Sequence, residues 1–84
     1  MKLVLVEWLD SHSGRGWQEI KRLSEASDPL YCRSVGWVVS ERNGCLVLVP
    51  HISGEKNRDI VLHGCGDLTI PKKAIVKTTV LRRG

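Results

Sequence analysis

Apolar and polar positions alternate along most of the chain with a period of two, the spacing of strands rather than helices. From Lys2 to Leu9, Val4, Val6 and Trp8 fall on one face and Leu3, Leu5 and Leu9 near the other. Apolar residues on both faces predict a central strand, or one that crosses between two halves of a barrel. The run Asp10-Ser11-His12-Ser13-Gly14-Arg15-Gly16 is a loop by composition. The period then changes. Trp17, Ile20 and Leu23 recur at three-residue spacing and predict a helix over Trp17–Ala26, with Gln18, Lys21, Arg22 and Glu25 turned to water. Gly16 is the expected N-cap, Glu19 reaches back to it, Trp17 docks the helix, and Ser27-Asp28-Pro29 ends it.

Period two returns from Tyr31 to Glu41 and from Cys45 to Ile52, on either side of Asn43-Gly44. That dipeptide supplies the two positive-φ residues of a type I′ hairpin turn. An uninterrupted ladder from that turn pairs Arg42 with Cys45, Val39 with Leu48 and Trp37 with Pro50. It groups Val35, Trp37, Val39, Leu46 and Leu48 on the core face. Ser53–Asp59 reads as a polar loop and Ile60–His63 as a further strand. Gly64-Cys65-Gly66-Asp67 is a turn, and Leu68–Ile70 a short strand before Pro71. Lys72-Lys73-Ala74 reads as one tight 3₁₀ turn before a last strand over Ile75–Leu81. The expected fold is one domain over residues 1–84, mainly β: a small SH3-like barrel of five or six short strands, with one helix inserted after the first.

The elements Val6-Glu7-Trp8-Leu9-Asp10, Gly16-Trp17, Ser34-Val35-Gly36-Trp37-Val38-Val39, Leu46-Val47-Leu48-Val49-Pro50 and Leu68-Thr69-Ile70-Pro71-Lys72-Lys73-Ala74-Ile75 span nearly the whole chain. In this order they resemble a broad set of small phage-encoded proteins with an SH3-like barrel, mostly without assigned function. The resemblance implies a viral or prophage origin, expression in the cytoplasm of a bacterial host, and a role in managing host processes or defences.

Charge narrows the partners. The formal net charge of +4 is unevenly placed. From Leu68 to Gly84 there are five basic residues (Lys72, Lys73, Lys77, Arg82 and Arg83) and no acid, whereas the other 67 residues hold eight bases and nine acids. A localised positive excess suits an anionic partner such as nucleic acid or a nucleotide. The glycine-rich loop offers a second contact, where His12 and Arg15 stand among residues able to expose backbone N–H groups. Trp8, at a strand end, is the candidate for stacking. The expected ligand-binding residues are thus Trp8, His12, Arg15, Lys72, Lys73, Lys77 and Arg82. The alternative is a protein–protein module that docks on a host protein or on copies of itself, since an 84-residue barrel encloses little cavity of its own.

Other chemistry is thinly represented. Cys32, Cys45 and Cys65 are an odd number without a close pair, the usage expected of a reducing cytoplasm. His63-x-Cys65 lacks the two-to-four-residue spacing of a structural zinc turn. Asp67 beside that pair gives the inventory of a catalytic triad but not its arrangement, because near neighbours along a strand cannot converge on one another. The sequence therefore predicts no enzyme, metal or cofactor. The apolar run at Met1–Val6 is broken by Glu7 and Asp10, and no stretch approaches the ~20 apolar residues of a membrane helix.

Overall fold

The computed structural model describes residues 1–25, 28–58 and 60–84. Among them are seven strands and very little helix. In chain order these are β1 (Leu3–Asp10), α1 (Ile20–Leu23), β2 (Leu30–Arg42), β3 (Cys45–Val49), β4 (His51–Glu55), β5 (Ile60–Cys65), β6 (Leu68–Pro71) and β7 (Ile75–Arg82). Single 3₁₀ turns at Lys56–Arg58 and Lys72–Ala74 precede β5 and β7. Five strands form one antiparallel sheet in the order β6-β3-β2-β1-β7, while β4 and β5 pair as a separate hairpin.

The connection between β6 and β7 dictates the shape of the sheet. These strands are its two edges, yet only Lys72–Ala74 separates them in sequence. Four residue steps span at most about 14 Å, whereas the edges of a flat five-stranded sheet stand about 19 Å apart. The sheet must curl. Its concave face holds the core: Val4 and Val6 from β1, Leu46 and Leu48 from β3 and Ile70 from β6. Trp8, Val38, Leu68, Ala74 and Ile75 pack around them. The Trp8 indole N–H donates to Ser34 Oγ at 3.0 Å, so the only polar group of that ring is satisfied inside the fold.

Turn chemistry fixes the central hairpin as the sequence indicates. Asn43 and Gly44 have φ of 54° and 67°, and Arg42 pairs with Cys45. Two residues further on, the ladder departs from the uninterrupted register. Ser40 pairs with Val47 but Val38 pairs with Leu48, so Val39 is an extra residue in a β-bulge. Trp37 consequently opposes Val49 rather than Pro50. Because side chains alternate between faces, the extra residue hands the core to Val38 and Gly36. Val35 and Val39, expected inside, are 52% and 53% exposed, and Trp37 is half-buried on the convex face. Bulges on β7 work the same way. Ile75 rather than Val76 registers with Trp8 and joins the core, and Arg82 rather than Leu81 registers with Leu3.

The expected helix over Trp17–Ala26 is corrected to the four residues of α1; Ala26 and Ser27 lie outside the described residues. The N-cap is Glu19, without a side-chain cap bond, and Gly16 is instead a positive-φ turn residue (φ 77°). The physical reason is the lack of anything to pack against. Short isolated helices are marginal in water, and tertiary burial of an apolar stripe normally sustains them. Here every described residue from Ser11 to Tyr31 is exposed, Trp17 completely so, and the described residues between β1 and β2 stand off the sheet as an arm. The expected loop at Ser53–Asp59 is also shortened, because β4 runs to Glu55 and the 3₁₀ turn follows; Asp59 lies outside the described residues. The molecule is elongated, measuring 60 × 24 × 22 Å.

With so few fully buried side chains, each one matters. Ile70 is 0% exposed at the centre of the cluster, and Ile70→Ala should cost about 2–5 kcal/mol. Urea unfolding followed by Trp fluorescence should show a lower midpoint at unchanged slope.

Candidate anion-binding groove

The basic residues of the C-terminal segment part company once folded. Lys72, in the 3₁₀ turn, stands 3.8 Å from Glu41 Oε2, and both side chains are about half exposed. It rims an opening of about 320 Å³ between the sheet edges, floored by Val4, Val38 and Leu46 with Lys2 across the mouth. Lys73 is exposed on the same turn. Lys77 registers with Glu7 on the convex face, where Glu7 also pairs with Arg33. An acidic neighbour thus tempers two of the five cations.

The end of β7 differs. Leu3 lies between Trp37 on β2 and Arg82 on β7, so the three form one row across the sheet. Trp37 and Arg82 stand two strand spacings apart, about 10 Å. The β4–β5 hairpin supplies the opposite wall. Between them is a groove of about 430 Å³ lined by Met1, Trp37, Ile52, Val61, Arg82, Arg83 and Gly84. No acidic side chain lines it. Within the hairpin, β4 and β5 close on one another at a bulge beside Gly54, where a Cβ would run into the Ile60 carbonyl. The groove is therefore lined by a tryptophan, apolar residues and two arginines, residue types suited to a planar group bearing phosphate or carboxylate.

The other sequence candidates stand elsewhere. Trp8 belongs to the concave face and packs against the core, with its N–H bonded to Ser34. The ring is half-buried. Arg15 and His12 belong to the arm, where the His12 ring meets the Asp28 carbonyl oxygen at 3.2 Å. They line neither the β7 groove nor the opening at Lys72. Of the seven candidates, only Arg82 lines this groove. Trp37 and Arg83 are the residues that sequence reasoning missed: Trp37 because the bulge was not foreseeable, Arg83 because it had registered only as charge. On the hairpin, His51 opposes Cys65 and His63 opposes Ser53, so two histidines and a thiol share one side. Among the described residues no three potential ligands are placed to hold a metal ion. The three cysteines are free.

A second convex-face cluster is electrostatic. Arg33 Nε meets Glu7 Oε1 at 3.4 Å, and the guanidinium carbon lies 5.3 Å from the centre of the Tyr31 ring. The Tyr31 hydroxyl also hydrogen-bonds to Glu7, which raises the tyrosine pKa above its ordinary value. Desolvation and the carboxylate charge add to the rise, and Arg33 opposes it.

No protein-family model matches the sequence, and neither a curated protein nor a solved structure shows significant similarity to it. Among the described residues no helix is long and apolar enough to cross a membrane.

Tyr31 is the only tyrosine, so its ionisation can be followed directly by phenolate absorbance. The midpoint should lie above the ~10 of a free tyrosine and fall towards it in Glu7→Gln. By linkage, the stabilisation held by the neutral hydroxyl is complete below the unfolded-state pKa and is lost as pH rises through the higher folded-state value. Identical titrations of the two proteins would show that Glu7 does not govern Tyr31.

Proposed function

We propose that this chain is a non-enzymatic binding protein, built as an SH3-like barrel, that holds an anionic partner (nucleic acid or a nucleotide) in the groove between the end of β7 and the β4–β5 hairpin. The observation that carries this reading is the meeting of Arg82 and Arg83 with Trp37 in a groove without acidic side chains. Phosphates would lie against the two guanidinium groups and a base over the aromatic and apolar wall, the combination used by proteins that bind single strands. The barrel reading is supported by the strand order, with the last strand beside the first, and by the 3₁₀ turn that links the sheet edges. A host bacterial cytoplasm and a phage origin go with that reading through the family resemblance.

Lys72 and Lys2 line a separate opening between the sheet edges, where Glu41 stands beside Lys72. Arg15 and His12, on the exposed arm, are outside the proposed contact surface.

Fluorescence anisotropy with labelled single-stranded DNA and RNA, and with a labelled nucleotide, tests the proposal over a range of salt. Affinity should fall steeply as salt rises. Replacing Arg82 and Arg83 together by Ala should weaken binding by at least about tenfold and lower the salt slope for the oligonucleotides by about 1.4, the loss of two phosphate contacts. Arg15→Ala should leave both quantities unchanged. Binding that survives the double substitution, or that ignores salt, would exclude the groove as the anion site.

A further inference from the structure

The arm between β1 and β2 presents apolar side chains that no described residue covers. Trp17 is 104% exposed, Ile20 78% and Leu23 55%, and Leu30 and Tyr31 follow at about half. Ile20 and Leu23 stand one helical turn apart in α1, so they share a side. A fully solvated Trp is costly, because its ring alone can remove ~150–250 Å² from water when it packs.

The area of the whole chain measures how much surface the arm, the hairpin and the sheet together leave uncovered. A compact monomer of 9.4 kDa exposes about 5,000 Å², whereas this chain exposes 7152 Å². The excess of about 2,100 Å² is more than twice the ~800 Å² that each partner contributes to a standard interface. The buried apolar set is small beside the exposed one, and short chains commonly offset such a deficit by association. A cover required for the stability of every copy must be present whenever the chain is, which its own copies always are.

Charge selects the surface on which copies can meet. Between Asp10 and Tyr31 three basic residues face four acidic ones, so two arms approach almost without net repulsion. The segment from Leu68 to Gly84, with five bases and no acid, would repel its like. We propose that the arm is a dimerisation element, in which Trp17, Ile20 and Leu23 of one copy pack around a two-fold axis against the same residues of a second copy. Such a self-complementary contact closes at two copies and leaves the β7 groove open on both. The inference is independent of what that groove binds.

Sedimentation equilibrium of the full chain, from low to high micromolar concentration and at low and high salt, tests it. The expected mass is that of two copies, little affected by salt because the contact is apolar. Changing Trp17 to Ala together with Ile20→Asp should weaken association at least a hundredfold without altering the far-UV circular dichroism of the sheet, since none of these side chains packs in the core. Changing Val61 and Leu62 on the hairpin to Asp should leave the two-copy mass intact. A one-copy mass throughout, a mass above two copies, or a dimer that survives the arm substitutions would overturn the proposal. So would a dimer dissociated by the hairpin substitutions instead.

Discussion

The three-residue link from Pro71 to Ile75 is the constraint on which the rest of the molecule depends. It joins strands at opposite edges of a five-stranded sheet, and a flat sheet cannot bring those edges close enough. Once the sheet curls, it has an inside just large enough for a handful of aliphatic side chains. It also has an outside that stays partly apolar, because both faces of β1 and β2 were apolar from the start. Antiparallel strands absorb such curvature through bulges, where an extra residue bends the strand and strengthens its twist. The bulges at Val39 on β2 and at Leu81 and Val76 on β7 are how this chain accommodates the link.

Each bulge also reassigns faces, and here the fold makes the candidate site. Val39 sends Trp37 to the convex side, and Leu81 brings Arg82 into the same row across Leu3. Neither residue is remarkable in isolation: a Trp in a β-rich run and an Arg in a basic tail each have ordinary structural explanations. Their conjunction in one groove, walled by the hairpin and without acidic side chains, is the arrangement on which the proposed anion binding rests. The remaining cations are less available for that task, as Lys77 and Lys72 each have a carboxylate nearby.

Much of the framework was legible in the sequence because local chemistry decides it. Asn43-Gly44 can adopt the positive φ angles of a tight hairpin turn, Val4, Val6 and Trp8 alternate towards one face, and Lys72–Ala74 forms the 3₁₀ turn before the last strand. What could not be read is whatever depends on a count of residues across partner strands. A bulge leaves no fixed mark on the strand that carries it, so the core face of β2 came out inverted and Trp37 was assigned inside. The helix failed for a related reason. The three-residue spacing of Trp17, Ile20 and Leu23 reports an apolar stripe, but a stripe sustains a helix only where another surface receives it, and none of the described residues does so. The site residues divided along the same line. Arg82 was reachable from charge distribution alone, whereas its association with Trp37 required the register.

The register at Trp37 is therefore the point on which fold and site both turn. Nuclear Overhauser contacts from the Trp37 indole ring, measured on the isotope-labelled chain, test it most directly. The bulged register predicts contacts to the side chains of Leu3 and Val49 and to Arg82 across the row. Contacts to Leu46 and Leu48 in their place would put the ring in the core, restore the uninterrupted ladder and remove the aromatic wall from the groove.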